Sequence, residues 1–383
     1  STLLRDRLNL AKDDNEVVVF ESGKEVRVVR DSELSVYDAD LPAMMAGKTR
    51  EVRRSAFKGE ALFTSAIVAV TQAVRPKVHF LHGHGEHDPR SNDSDGFQKF
   101  MGLLTERNAD VQLLTLDGVG DAVPADCQLI VVAGPRRALS PQAVQRIDDY
   151  LGRGGRLLVL LNASTVALRT GLEDVLFRWG IVAKASLVKD EKETTSREDV
   201  LVSNFGGHPI VNPLAHDRLR LQVWTPRVIG PVPDQKAADA PRVEVLLWTS
   251  ESGRTHSRIR DGAVAFSPDM DMEGRIPLAA AAEKGGITGV AANRGVTRIV
   301  AAGDSTFLTN AGIEAGANRD FASLALAWLL DQAQFIQIGP KPVREYTLRL
   351  TPSDMTRMKG LFLAVLPGGV LLVGFVVWLR RRS

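Results

Sequence analysis

Seven consecutive residues, His82-Gly83-His84-Gly85-Glu86-His87-Asp88, hold three imidazoles and two carboxylates. These are the side chains that ligate divalent cations or move protons near neutral pH. They follow directly on the apolar run Val78-His79-Phe80-Leu81, and in open α/β sheets ligands collect beyond the carboxyl ends of the strands. Helical metal motifs set histidines at i and i+4 on one face, whereas glycines at 83 and 85 make this a tight loop. The segment therefore reads either as a ligand-binding loop carried by His82, His84 and Glu86, or as a glycine-dependent turn with part-exposed imidazoles. Gly303-Asp304-Ser305 likewise follows a strand-like run, Arg298–Ala302, and Asp304 reads as a ligand contact or as the cap of its own turn. His208-Pro209 and Trp224-Thr225 read as structural. None of these residues is assigned a catalytic or metal-ligating role.

Other chemistries are excluded by spacing. Gly83 and Gly85 begin a G-x-G, but Asp88 stands where a dinucleotide fingerprint needs its third glycine, and no G-x-x-x-x-G-K-[ST] occurs. The chain is not its own ATPase, and no cofactor is expected. Cys127 is the single cysteine, so no intrachain disulfide and no cysteine-based zinc site can form. It precedes the apolar run Leu129–Ala133, whereas a nucleophile elbow follows its strand, so a buried structural thiol is expected. With 48 basic and 46 acidic residues the net charge is only +2, and no basic tract is long enough for a nucleic-acid groove.

The elements that must position these residues alternate. Lys77–Leu81 reads as a strand, Gly96–Glu106 as a helix, Asp110–Leu114 and Leu129–Ala133 as strands, Pro141–Leu151 as a helix and Arg156–Leu161 as a strand. The unbroken apolar runs 129–133 and 157–161 suit parallel strands covered on both faces. Ser140-Pro141 supplies an N-cap and first-turn proline, and Gly152 with Gly154-Gly155 ends the helix. The fold class expected is α/β, a doubly wound, mostly parallel sheet. Beyond Ile181 the pattern changes: Lys189–Asp199 reads as a charged loop and Pro226–Pro241 as a long connection. Leu219–Trp224, Val243–Trp248, Gly262–Phe266 and Thr288–Ala292 read as strands. Arg298–Ala302 and a helix over Asp320–Leu330 close the α/β unit. At the front, Glu16–Phe20 and Glu25–Val29 read as a hairpin, and Gly59–Val74 as an amphipathic linker helix too polar to span a membrane.

The tail differs from everything before it. Residues 361–379 carry six Leu, five Val, two Phe and no charge, and Arg380, Arg381 and Arg382 follow at once. At about 1.5 Å per residue such a helix spans roughly the 30 Å of a bilayer's hydrocarbon, and a transmembrane anchor is expected. The flanking arginines place the C-terminus in the cytoplasm and the large domain outside, with Trp378 at the interface. Pro367, Gly368, Gly369 and Gly374 offer small residues for packing against another membrane helix, or simply kink a lone anchor. An external domain implies either an export segment upstream of Ser1 or the inverse topology, and the export segment is the reading favoured.

The order of several stretches resembles the gliding-motility auxiliary family of ABC transporters. They are Phe57-Lys58-Gly59-Glu60 before its helix, Val78–Glu86, Ile130–Pro135, Leu139-Ser140-Pro141, Gly154–Val159, Trp179-Gly180-Ile181, Gly303-Asp304-Ser305, Leu350-Thr351-Pro352 and the Arg-rich anchor. The resemblance implies a non-enzymatic auxiliary subunit of an ABC-2 type transport system in the bacterial inner membrane, working beside a permease and a separate ATPase. It also implies an extracytoplasmic domain resembling class I glutamine amidotransferases in fold, although Cys127 is misplaced for their Cys-His-Glu triad. The implied layout runs as the end of a truncated N-terminal α/β domain (1–56), a linker helix (57–75) and the amidotransferase-like domain (76–340) with a β-rich insertion at about 185–295. A juxtamembrane linker (341–360) and the anchor follow. The competing reading is a membrane-anchored hydrolase or metal-dependent enzyme using the His82–Asp88 loop with Asp304.

Overall fold

The computed structural model describes residues 16–23, 25–39, 52–57, 59–71, 75–166, 168–196, 198–233, 240–260, 263–267, 271–285 and 295–332, with 341–342, 362–363, 367, 377–378 and 380–381. The chain divides into two compact units, Ser1–Lys341 and Pro342–Ser383. Most of the second unit, including nearly all of the expected anchor 361–379 with Gly368, Gly369 and Gly374, lies outside the described residues. Among the described residues no helix is long and apolar enough to cross a membrane.

The first unit begins with an antiparallel hairpin, β1 (Val17–Ser22) and β2 (Glu25–Arg30). A second antiparallel pair, β3 (Ser35–Ala39) and β4 (Val52–Phe57), precedes the helix Gly59–Thr71. That helix packs on the hairpin, with the rings of Phe63 and Phe20 5.6 Å apart. Arg27 Nη2 donates to Asn108 Oδ1 at 2.9 Å, and so ties the hairpin to the domain that follows.

That domain is built on β5 (Lys77–Leu81), β6 (Asp110–Leu114), β7 (Leu129–Ala133) and β8 (Arg156–Leu160). The chain then passes through β9 (Ile181–Asp190), β10 (Asp199–Val202), β11 (Asn204–Phe205), β12 (Leu221–Trp224), β13 (Arg227–Pro231), β14 (Arg242–Trp248) and β15 (Gly253–His256). It returns through β16 (Arg258–Arg260), β17 (Ala263–Ala265), β18 (Pro277–Lys284) and β19 (Thr297–Ala302). The main sheet has eight strands in the order β11-β14-β18-β19-β8-β7-β5-β6. From β19 to β6 the neighbours are parallel, and β18, β14 and β11 extend the sheet antiparallel.

Alternation along the parallel strands builds two cores. Leu129, Val131, Ala133, Leu158 and Leu160 face one side with helices Gln98–Glu106 and Asn318–Leu329. Ile130, Val132, Leu157 and Val159 face the other with helices Pro141–Leu151 and Leu172–Arg178. Burial on both faces is what an uninterrupted apolar strand requires. The expected N-cap forms, Ala143 N–H donating to Ser140 Oγ at 3.1 Å.

Several strands run where the sequence pattern predicts none, among them β9 and β10 at the two ends of the expected loop 189–199, and β15. The expected connection 226–241 contains β13, and β18 has the sequence Pro-Leu-Ala-Ala-Ala-Ala-Glu-Lys, poor in strand formers. β13 packs on β18, and Gly230 sits so close to Pro277 that a Cβ there would stand 2.8 Å from its ring, so only glycine fits that position. The expected strand Thr288–Ala292 lies outside the described residues.

Candidate functional site

The five parallel strands run in the order β6-β5-β7-β8-β19. The chain therefore leaves β5 to one side and returns to the other at β7, and the carboxyl ends of β5 and β7 flank the crevice where open α/β sheets place their ligands. The His82–Asp88 loop begins at that point. His82 N–H donates to Leu114 O of β6 at 2.9 Å, and His87 N–H to Ala133 O of β7 at 2.9 Å, so the loop bridges both neighbours of β5. Gly83 at φ 125° and Gly85 at φ 82° make the reversal in a region that side-chain-bearing residues rarely adopt. The backbone N–H groups of Arg136 and Arg137 then close on His84 O at 2.8 and 3.0 Å.

His84 and Glu86 come together. Their side chains are 4% and 1% exposed, with Nδ1 3.0 Å from Glu86 Oε1. Glu86 Oε2 also accepts from the His84 backbone N–H at 2.7 Å. On its other side, His84 Nε2 lies 2.6 Å from Asp117 Oδ2, just past β6, but outside hydrogen-bonding direction. The Ser140 hydroxyl, followed by the His84 ring, holds the Asp117 carboxyl below its ordinary value. His82 is exposed at the rim.

His87 turns inward. Its Nδ1 lies 2.7 Å from Asp95 O and 3.0 Å from Asp95 Oδ1, its Nε2 2.9 Å from Ser305 Oγ, and its ring stacks on Phe97. Asn162 Nδ2 donates to the same Ser305 oxygen at 3.0 Å. The network assigns the tautomer: Nδ1–H donates to Asp95, and Nε2 accepts the Ser305 proton. Burial pushes the imidazole below its ordinary pKa. Gly134, beyond β7, closes the assembly, since a Cβ there would meet Ser305 Oγ at 2.4 Å and His87 Cδ2 at 2.9 Å. The ends of β5, β7, β8 and β19 are thus joined by one polar knot in the crevice itself.

Asp95, His87 and Ser305 stand in the order and spacing of a Ser-His-Asp relay. Ser305 is 0% exposed, however, and its oxygen is enclosed by His87, Asn162 and Gly134. A nucleophile needs a face open to its substrate, and in this arrangement the hydroxyl has none.

Asp304 is spent on its own surroundings. Oδ1 accepts from the N–H and hydroxyl of Thr306 at 2.7 and 2.6 Å, and Oδ2 from the N–H groups of Trp224 and Phe307 at 2.9 and 3.2 Å. Burial pushes its carboxyl up to about 6 against those four bonds. Of the four candidate ligand residues, the fold therefore pairs His84 with Glu86, leaves His82 at the rim and sets Asp304 as a cap. No group of three or more His, Cys, Asp or Glu side chains suited to a metal ion occurs among the described residues. Asp117 and Asn162 carry no signal in the sequence, and in Gly303-Asp304-Ser305 the sequence points to Asp304 rather than to Ser305, although each lies within three residues of a strand's carboxyl end.

These features define an open, mostly parallel α/β domain whose polar loops gather at its switch point. Residues 75–327 match the family described as ABC-type uncharacterized transport system, a family of transport auxiliary components, and the chain belongs to it. No curated protein matches the chain. Among solved structures, the chain is similar to the mmIFT52 N-terminal domain at 16% identity, over 66% of this chain and 97% of that one, with a TM-score of 0.47. It is also similar to a ThuA-like protein from Bacteroides uniformis at 13% identity, over 68% and 94%, with a TM-score of 0.36. Similarity at this level carries no argument about fold or function.

Proposed function

We propose that this chain is a non-enzymatic auxiliary subunit of an ABC-2 type transport system. Residues 361–379 anchor it in the bacterial inner membrane, and its α/β domain, of the amidotransferase-like class, meets a substrate or partner on the extracytoplasmic side. The observation that carries this reading is the family match across residues 75–327. The uncharged segment and its following arginines support the anchor. The contact surface proposed is the outer side of the 82–88 loop, with His82 at the rim and His84 and Glu86 behind it, while Asp304 supports the floor. Affinity purification of the full chain in mild detergent, with mass spectrometry of what accompanies it, tests the reading. A polytopic permease and a Walker-motif ATPase should co-purify, and should be lost when 361–379 is exchanged for an unrelated anchor. A protein recovered alone across several detergents would refute it.

The Asp95-His87-Ser305 relay is the one observation favouring a hydrolase. A fluorophosphonate probe separates the two readings: on the auxiliary reading Ser305 stays unlabelled in the folded protein, whereas labelling that Ser305→Ala abolishes would establish an accessible nucleophile.

A further inference from the structure

A second site lies at the opposite end of the sheet. Between the amino ends of β7 and β8 and the end of helix Asn318–Leu329 is a cavity of about 320 Å³, lined among others by Cys127, Gln128, Tyr150, Arg153, Arg156 and Asp331. That volume falls at the lower end of the roughly 300–1,000 Å³ typical of small-ligand pockets.

Its charges do not cancel. Arg156 Nη1 donates to Leu329 O at 2.8 Å, and Nη2 lies 3.6 Å from Asp331 Oδ2. Asp331 Oδ1 in turn accepts from Arg298 Nη1 at 3.0 Å, and Arg298 Nε donates to Glu283 Oε2 at 3.0 Å. Two guanidinium groups and two carboxylates thus balance in one chain. Arg153 is outside it, and its guanidinium has no ion-pair or hydrogen-bond partner among the described residues. The Tyr150 hydroxyl is held in place, accepting from the Arg156 N–H at 3.0 Å and donating to Arg156 O at 3.2 Å, so that wall is pre-shaped. A concave, polar-walled space with one surplus guanidinium is complementary to a small oxyanion, which arginine binds bidentately.

We propose that this cavity binds a small molecule bearing a carboxylate or phosphate group, held by Arg153 with Arg156 beside it. The site is separate from the transport role inferred above and does not depend on it.

Cys127, the single cysteine, lies in the cavity wall and serves as the reporter. In the full chain, its thiolate is allowed to attack either dithiobis(nitrobenzoate), which is anionic, or neutral dithiodipyridine, in each case forming a mixed disulfide and releasing one aryl thiolate. Normalised to a free small thiol, the anionic reagent should be favoured at Cys127 by about five- to tenfold, the effect of one unpaired charge in a half-solvated site. Arg153→Gln should remove the preference while leaving the reaction with the neutral reagent unchanged. Millimolar phosphate or acetate should slow the reaction, and whichever protects better identifies the oxyanion class. Cys127 is buried, so where it reacts with neither reagent, calorimetric titration of the full chain with phosphate and acetate reads the site instead. Equal normalised rates for the two reagents, a preference that survives Arg153→Gln, no protection by either anion, or no calorimetric binding that Arg153→Gln removes would each overturn the proposal.

Discussion

Ser305→Ala removes one oxygen from the knot that joins four strand ends, and the cost can be worked from its partners. The hydroxyl is bound at once by His87 Nε2 at 2.9 Å and Asn162 Nδ2 at 3.0 Å. Both side chains are buried, so neither can turn to solvent. Leaving a buried donor or acceptor unpaired costs about 1–3 kcal/mol, so the substitution should destabilise by roughly 2–6 kcal/mol, far more than the loss of one exposed hydroxyl. A double-mutant cycle sharpens the test. His87→Phe removes the imidazole that Ser305→Ala strands, and an aromatic ring can retain the stacking on Phe97. The double variant should therefore be more stable than the sum of the single losses by about 1 kcal/mol or more. Urea denaturation of the full chain, followed by far-ultraviolet circular dichroism, measures all three variants. A loss below about 0.5 kcal/mol for Ser305→Ala, or strict additivity in the cycle, would refute the reasoning that this knot holds the crevice shut.

Three further outcomes follow from the same geometry. The pair Arg227 Nη1 and Glu173 Oε1, 3.0 Å apart and buried, should lose about 3–5 kcal/mol on Glu173→Ala, and much of it should return in the double variant Glu173→Leu with Arg227→Met, again read by urea. Asp304 has a folded pKa of about 6, above its ordinary 3.8, so its contribution to stability is full below pH 4 and is lost as pH rises towards 6; Asp304→Asn should remove that downward slope in thermal melts. Asp199 is the opposite case. Although burial pulls its carboxyl up, bonds from Thr195, Ser196 and Thr194 hold it well below the carboxylate range, so its contribution is present above pH 3.8 and fails on acidification below that, a loss that Asp199→Asn should flatten.

Much of the sheet can be read from the chain because burial on both faces leaves unbroken apolar runs. Leu129–Ala133 is a strand in the reading and in the fold, and so is Asp110–Leu114. β18 could not be read this way: four alanines in a row carry little strand preference, and the run becomes a strand through its ladders with β14 and β19, which sequence does not display. The site divides along the same line. His84 and Glu86 are two residues apart, so their pairing is local and the loop advertises it. Asn162 and Ser305 are 143 residues apart, and neither Asn162 nor the serine of the Gly303-Asp304-Ser305 turn announces the other until the strand order brings them together.

The knot also decides what kind of recognition the strand ends can support. In many α/β domains the switch-point crevice is open and receives its ligand between the strands. Here His87, Ser305 and Asn162 fill it with their own hydrogen bonds, so nothing can enter without breaking at least one of them. What remains outward is a rim on stiff supports. Arg136 pairs with Asp95, whose backbone oxygen holds His87, and Arg137 Nη2 donates to Gly83 O at 2.7 Å. A surface tied down in this way loses little conformational freedom when a partner lands on it, and preorganisation of that sort favours affinity without a deep pocket. The closed crevice and the loop surface proposed for contact are therefore consequences of one arrangement, and opening the knot by Ser305→Ala should loosen the rim as well as the core beneath it.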